Sequence, residues 1–300
     1  MDWITGIQNA INYIEDHLTE PIDYDRVARE SFSSSFHFQR VFSILCGYTL
    51  GEYIRNRRLT LAATELATGK EKVIDIAVKY GYDSPDSFAK AFQKFHGITP
   101  SQARGHGTVL RSFSRLSLKI SLEGGNMMNY RMEERPDLHL TGFKQHFSGT
   151  PEDRQMQDHD FAVSTRLKQY VLQGLAHDCE TLYEVITNFD DNGYDFYFAV
   201  KLDPYAREDF EEDLAEFAKQ YEHITIPGGQ YLVCETRRCR YPTMELEALR
   251  RQAVSEWLPS SGYQLRDAPE FDIVHWFYKY GDEAVNESRY TELWLPIVKA

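Results

Sequence analysis

Apolar residues between positions 74 and 95 recur at helical spacing in two blocks separated by a glycine. The first block predicts a helix over Ile74–Tyr80, followed by a turn at Gly81. Ser84 is a strong N-cap for a second helix, Pro85 suits its first position, and Asp86 lies near its positive end. On a helical wheel Phe88, Ala91, Phe92 and Phe95 share one side and face a core, while Asp86, Lys90 and Gln93 point the opposite way. Gly97 stops this helix, and Thr99-Pro100 keeps the chain from resuming it. An aromatic buried face with a short polar outer face meets the requirement for reading a DNA major groove. A plain helical pair is the alternative.

The preceding residues repeat the arrangement. Trp3 to about Leu18 predicts a first helix with Ile4, Ile7, Ile11, Ile14 and Leu18 as its stripe, and Tyr24–Glu30 a short second one. In the next helix Phe38, Val41, Phe42 and Leu45 fall on one side and Phe36, Gln39, Arg40 and Ser43 on the other. Phe36 on that polar side either packs against a neighbouring helix or meets thymine methyls, beside an Arg40 that reaches guanine or phosphate. Gly47 ends the helix as Gly97 ends the later one. Residues 23–47 and 74–97 thus share an order of short helix, turn, serine cap, Phe-rich helix and glycine, an internal duplication. Leu50–Thr68 predicts one connecting helix about 27 Å long, with Arg55–Arg58 outward. Two reading helices so spaced would enter successive major grooves.

Residues 106–128, with Gly107, Gly124-Gly125 and several serines, predict a connector holding one short strand or helix, its Arg111 and Arg115 either following DNA or solvated. Beyond it the texture changes to alternating strands and helices. Leu138–Lys144 predicts a strand, Asp160–Gly174 a helix, and the runs TLYEVITNF and YDFYFAVKL a hairpin across Asn192-Gly193. The order recurs with a strand at Gln230–Arg238, a helix over Met244–Leu258, and strands near PEFDIVHWFYK and YTELWLPIV. The fold class expected is an N-terminal all-α double helix-turn-helix domain (1–105), a linker (106–128), and a C-terminal α+β domain (129–300) of two pseudo-symmetric βαββ units. On the last strand Tyr290, Glu292 and Trp294 share a face. A carboxylate between two aromatics is costly unless paired, and would suit a cationic amphipathic ligand. Otherwise that face is wet and Glu292 an ordinary strand residue.

Charge refines this reading. The chain carries a net −13, but residues 1–105 are at −1 and the rest at −12. With so little positive balance, DNA affinity has to come from local clusters such as Arg55, Arg57 and Arg58 and be salt-sensitive. No apolar run is long enough to span a membrane, and the acidic, amphipathic N-terminus is unlike a signal peptide. Cys46, Cys179, Cys234 and Cys239 lack zinc-site pairing, so idle thiols in a reducing, cytoplasmic compartment are expected. No cofactor motif, metal motif or nucleophile–base pair is present, and no enzyme is expected.

Two stretches carry family resemblances. SFHFQRVFSILCGYTLGEYIRNRRLTLAATEL and IAVKYGYDSPDSFAKAFQKFHGITPSQAR resemble the DNA-binding domain of AraC/XylS-family bacterial transcription regulators. The resemblance implies base and backbone contacts by Ser35, Phe36, Gln39 and Arg40 on the first reading helix. Pro85, Asp86, Ala89 and Lys90 occupy the matching surface of the second, where short or acidic side chains leave phosphate contacts through Lys90 and Lys94. The duplicated order, IPGGQYLVCE (226–235) and YTELWLPI resemble the GyrI-like small-molecule-binding domain. That resemblance places Glu292 in a ligand pocket with Tyr290 and Trp294, and Trp257, Trp276 and Tyr278 are further candidates for its wall. The function implied is a one-component regulator of promoter DNA answering to a small-molecule effector, with RNA polymerase as a further partner. Hydrolysis of small electrophiles with Glu292 as base, or a protein-binding groove, are the alternatives.

Overall fold

A computed structural model describes residues 3–31, 33–117, 128–151, 154–202, 220–277 and 281–300. They fold as two compact units, the first within residues 3–117 and the second formed mainly by residues 128–300.

The first unit is helical: α1 Trp3–Asp16, α2 Tyr24–Glu30, α3 Ser35–Cys46, α4 Leu50–Thr68, α5 Val73–Lys79 and α6 Pro85–His96. Local chemistry sets the boundaries. Asp23 caps α2, and Thr49 and Glu52 form a reciprocal capping box that starts α4. Ser84 accepts the backbone N–H of Ser87 to start α6, and Gly97 at φ 78° closes it in a left-handed conformation that residues with a Cβ adopt only at a cost. Helix α4 contributes Leu59, Ala62, Ala63 and Leu66 to a core shared with Ile76, Ala77, Tyr80, Phe88 and Phe92 of the second helix pair. The small alanines let helices approach closely at that seam.

Two arginines of the run 55–58 hold this unit together, contrary to their expected outward display. Arg57 forms a two-point ion pair with Glu15 of α1 (Nε–Oε1 2.8 Å, Nη2–Oε2 2.9 Å) and donates to the Phe113 carbonyl. Burial would raise the Glu15 carboxyl, but hydrogen bonds from Arg57 and Tyr53 hold it below its ordinary value. Arg58 donates to the Leu18 and Glu20 carbonyls at 2.8 and 2.7 Å, satisfying groups left open where α1 ends. The connector follows the same logic. Residues 108–117 form no helix or strand and run along the helices, Phe113 N–H donating to Thr60 and Leu116 N–H to Tyr53. Arg111 and Arg115 are engaged there too, with the Phe95 carbonyl and with Asn12.

The second unit is one curled antiparallel sheet with helices on one face. Its strands are β1 Tyr130–Arg135, β2 Leu138–Ser148, β3 Thr181–Thr187, β4 Gly193–Val200, β5 Glu222–Ile226, β6 Gly229–Glu235, β7 Tyr263–Leu265, β8 Glu270–His275 and β9 Tyr290–Lys299. The order is β1-β6-β9-β8-β3-β4-β2-β5, with β7 against the far end of β9. Exchanging β1 with β5, β2 with β6, β3 with β8 and β4 with β9 reverses this order onto itself, a symmetry of strand order that β7 does not share. The two ends of the sheet are tied: β1 runs into β2, and β5 into β6, through two residues each. Those links cross at Gly228, where an added Cβ would lie 2.8 Å from the Arg135 carbonyl oxygen. Only a residue without a side chain fits, which is the physical content of the Pro227-Gly228-Gly229 run.

Helices α7 Gln155–Ser164 and α8 Arg166–Leu175 break at Thr165 within the single helix expected over 160–174. After β6 come α9 Leu246–Gln252, a π turn at Ala253–Trp257, and α10 Leu258–Ser261; α11 Glu283–Asn286 precedes β9. The expected hairpin forms between β3 and β4, its loop running from Asn188 to Asn192 ahead of Gly193. Asp190 Oδ1 accepts the Asn192 and Gly193 N–H groups, and Gly193 already pairs with Ser148 in the sheet.

Candidate functional site

In the helical unit α6 has the expected polarity. Phe88 and Phe92 are fully buried, with Ala91 and Phe95 packed against the same core. Pro85, Asp86, Lys90, Gln93 and Lys94 are exposed, and Ala89 is half-buried. His96 closes the helix as a neutral ring: Nε2 meets the Leu59 carbonyl at 3.1 Å while Nδ1 accepts the Arg111 N–H. Burial lowers its pKa accordingly. On α3, Ser35, Phe36 and Gln39 are half-buried, with Gln39 Nε2 donating to Ser35 Oγ at 3.2 Å. Arg40 differs from expectation, being only 3% exposed. Helix α3 is covered around more of its circumference than an amphipathic stripe implies, since His37, Phe38, Val41, Phe42, Ser43 and Ile44 are buried as well.

In the second unit strand register assigns the faces. Val233, Trp294, Phe271, Val185 and Tyr197 stand side by side across β6, β9, β8, β3 and β4 on the face away from the helices. With Tyr231, Ile273, Leu138, Leu140 and Ile226 they form one hydrophobic core. The Trp294 and Phe271 rings stack at 5.3 Å and 16°, with the Arg135 guanidinium 4.8 Å from the Trp294 ring centre. Four residues back along β9, a second row places His275 against Tyr290 (4.2 Å, 13°) and Arg238 over Tyr290 at 4.0 Å. His275 comes from β8 and Arg238 from the extension of β6, the two neighbours of β9, so the Tyr290 ring is sandwiched.

Glu292 lies between these rows and is 9% exposed. Its Oε1 accepts Arg131 Nη2 at 2.7 Å and its Oε2 accepts Trp294 Nε1 at 2.9 Å. Both carboxylate oxygens are therefore compensated, as burial requires. Arg131 also donates to Glu235 at 2.6 Å and to Glu133, placing three carboxylates around one guanidinium. Desolvation disfavours the charge on Arg131, but Glu133 and Glu292 outweigh it and raise its pKa.

Tyr290, Glu292 and Trp294 are thus brought together as expected, whereas two other candidates are not. Trp257 packs on Tyr130 at 5.3 Å and on Tyr263. Tyr130 pairs with Cys234, on the face of β1 opposite Arg131, so Trp257 belongs to the helix-bearing side. Trp276 follows His275 with opposite parity and lies under Arg289 at 4.1 Å. Tyr278 is outside the described residues. The missed residues are Arg131, Arg135, His275 and Phe271. Alternation of charge in YRMEER could have revealed the first two, since Arg131, Glu133 and Arg135 share a face.

Beneath the helices the central strands hold a second charged group. Glu184 of β3 and Asp272 of β8 are paired side by side and buried. Arg154 bridges them at 2.9 and 3.0 Å, and Arg250 of α9 lies 3.2 Å from Glu270 and 3.7 Å from Asp272. Among the described residues no group of His, Cys, Asp and Glu is arranged to hold a metal, and no helix is long and apolar enough to cross a membrane.

A helical unit whose α6 buries an aromatic face and exposes a polar one, ahead of a curled sheet with a shielded carboxylate among aromatic rings, defines a DNA-binding regulator with an effector-binding domain. Comparison with known proteins agrees. The family model described as "Helix-turn-helix domain" matches residues 27–106, and that described as "Integron-associated effector binding protein" matches residues 131–297. The HTH-type transcriptional activator AarP of Providencia stuartii is 43% identical over 115 residues, 38% of this chain and 85% of that protein. The regulatory protein SoxS of Salmonella typhimurium is 43% identical over 98 residues, 33% of this chain and 92% of its own. The solved structure of SAV2435 bound to tetraphenylphosphonium covers 57% of this chain and 94% of its own, at 19% identity and a TM-score of 0.42. The chain belongs to the AraC family of transcription regulators, and its C-terminal part to the integron-associated effector-binding proteins.

Proposed function

We propose that this regulator contacts promoter DNA through Ser35, Phe36, Gln39 and Arg40 of α3 and through Pro85, Asp86, Ala89, Lys90 and Lys94 of α6. Its second domain receives a cationic, amphipathic effector at Glu292, and effector binding changes how the first domain engages DNA or RNA polymerase. We take residues 1–105 as the DNA reader, accompanied by the connector as far as 117, and 129–300 as the sensor. The observation that carries the effector reading is the Glu292 carboxylate, shielded between two rows of aromatic rings on the sheet face away from the helices. Both of its oxygens are engaged, by Arg131 and Trp294, which favours charge recognition over the general-base role of a hydrolase. Its enclosure favours a small ligand over a docked polypeptide. In this reading the chain is a cytoplasmic regulator and not a catalyst.

The division of labour on DNA follows from exposure. Lys90 and Lys94 project freely into solvent and supply phosphate contacts, while Arg40 reaches DNA only by leaving its buried position. Selection of bound fragments from a genomic pool by the full chain, at near-physiological salt, tests this. A recurring asymmetric site of about two helical turns is expected. Lys90→Ala with Lys94→Ala should weaken binding evenly across sequences and reduce the salt slope by about two. Fragments recovered without sequence preference, or an unchanged salt slope, would refute the assignment.

A further inference from the structure

The cation facing Glu292 belongs to the chain itself. Arg131 comes from β1, which ends the strand order and pairs with β6. Its guanidinium donates to Glu292 and lies 5.7 Å from the Trp294 ring centre, so it makes both contacts that a lipophilic cation would make there. Arg131 is also accessible where Glu292 is not: its side chain is 37% exposed against 11%. It has somewhere to go, because Glu133 and Glu235 hold the other guanidinium nitrogens. Glu133, Glu235 and Glu292 surround this guanidinium, and the next one on the face, Arg135 at 4.8 Å from the Trp294 ring centre, leaves the carboxylates in excess by one. A further cation entering this group is therefore favoured electrostatically, provided Arg131 yields Glu292.

We propose that Arg131 is a tethered competitor for the effector site, which a ligand must displace from Glu292 and Trp294, and that this exchange sets ligand specificity. The inference rests on the reading of Glu292 as the counter-ion of a cationic effector. A neutral aromatic compound leaves the Arg131–Glu292 pair intact and gains nothing from the carboxylate. A small hydrated cation matches the charge but not the apolar contact with Trp294 and Phe271, so it does not dislodge a tethered guanidinium. Only a molecule with both charge and flat apolar surface completes the exchange. Its apparent affinity is reduced by the fraction of molecules in which Arg131 has already withdrawn.

The test uses the full chain and two probes of similar shape, the cation tetraphenylphosphonium and neutral triphenylphosphine oxide, with calorimetric titration as the readout. Arg131→Met is expected to bind the cation about tenfold more tightly, the gain that follows when the withdrawn state is about one part in ten, with no change toward the neutral probe. Arg131→Lys, which keeps the charge but cannot bridge three carboxylates, should fall between. A gain there separates loss of the competing contact from a general change in field. Cation binding by the wild type that is equal or weaker in Arg131→Met would overturn the competition while leaving Glu292 as the cation site. Absence of cation binding in every form would remove the effector reading and the competition together. Should Arg131→Met fail to fold, the wild-type Arg131 side-chain N–H resonance decides: it must shift on saturation with the cation, and an unmoved resonance overturns the proposal.

Discussion

A Glu292→Gln variant of the full chain is expected to bind tetraphenylphosphonium ten- to a hundredfold more weakly than the wild type. The substitution is nearly isosteric. Trp294 Nε1 still finds an oxygen to donate to, and Arg131 still has Glu133 and Glu235, so this face of the sheet keeps its shape. What is lost is the negative charge between the two aromatic rows. Hydrogen bonds and contacts to a charged group of this kind contribute about 1.5–3 kcal/mol, which corresponds to the stated range. Titration calorimetry with the cation, and with triphenylphosphine oxide as neutral control, measures it. Equal affinity of Gln and Glu variants for the cation would mean that the carboxylate serves Arg131 and the fold alone.

The second large effect lies on the other face of the same sheet. Arg250→Met leaves Glu270 and Asp272 short of one guanidinium in a site where Arg250 is 1% exposed. Removing one partner from a buried ion pair typically costs about 3–5 kcal/mol, which for a domain of this size lowers Tm by roughly 10 °C. The loss should depend on pH. Burial, with Asp158 close by, pushes the Glu184 carboxyl up to about 8, and burial likewise raises Asp158. A carboxyl whose folded pKa exceeds its unfolded value binds more protons in the fold. Its contribution is full below the ordinary carboxylate range and is lost as pH rises toward 8. The second domain should therefore melt at lower temperature at pH 8 than at pH 5. The Arg250→Met penalty should also shrink at pH 5, where a stranded carboxylate can take up a proton. Calorimetric scans at the two pH values check both statements, and a penalty independent of pH would contradict this account of the cluster.

What the sequence disclosed depended on how each element is stabilised. Helices α2 to α6 were legible because local signals mark them: Asp23, Ser84, Pro85, Gly47 and Gly97 act within one turn of where they stand. Strands β3, β4, β8 and β9 were legible as apolar runs. Strand β1 was not, because its alternation is between charges, and only the register with β6 shows that Arg131 shares a face with Val233 and Glu292. Strand β5 is short and half polar, and its place beside β2 is a long-range pairing that no local pattern encodes. Tyr290, Glu292 and Trp294 could be placed on one face by parity alone. Trp257 could not, since it sits in a π turn whose orientation depends on packing against Tyr130 and Tyr263. Arg57 and Arg58 read as surface charge because their partners, Glu15 and the end of α1, lie some 40 positions away. The buried carboxylates Glu184 and Asp272 were hidden for the same reason: their guanidinium partners come from elements distant in the chain.

The central claim is that one chain couples an effector site in the sheet domain to DNA binding by the helical domain. Titrating the full chain onto its selected DNA site, with and without saturating tetraphenylphosphonium, tests it directly. DNA affinity is expected to change by at least about fivefold, with the same factor appearing in cation affinity when DNA is present, and no such change in Glu292→Gln. DNA affinity that stays constant while the cation demonstrably occupies the protein would contradict it.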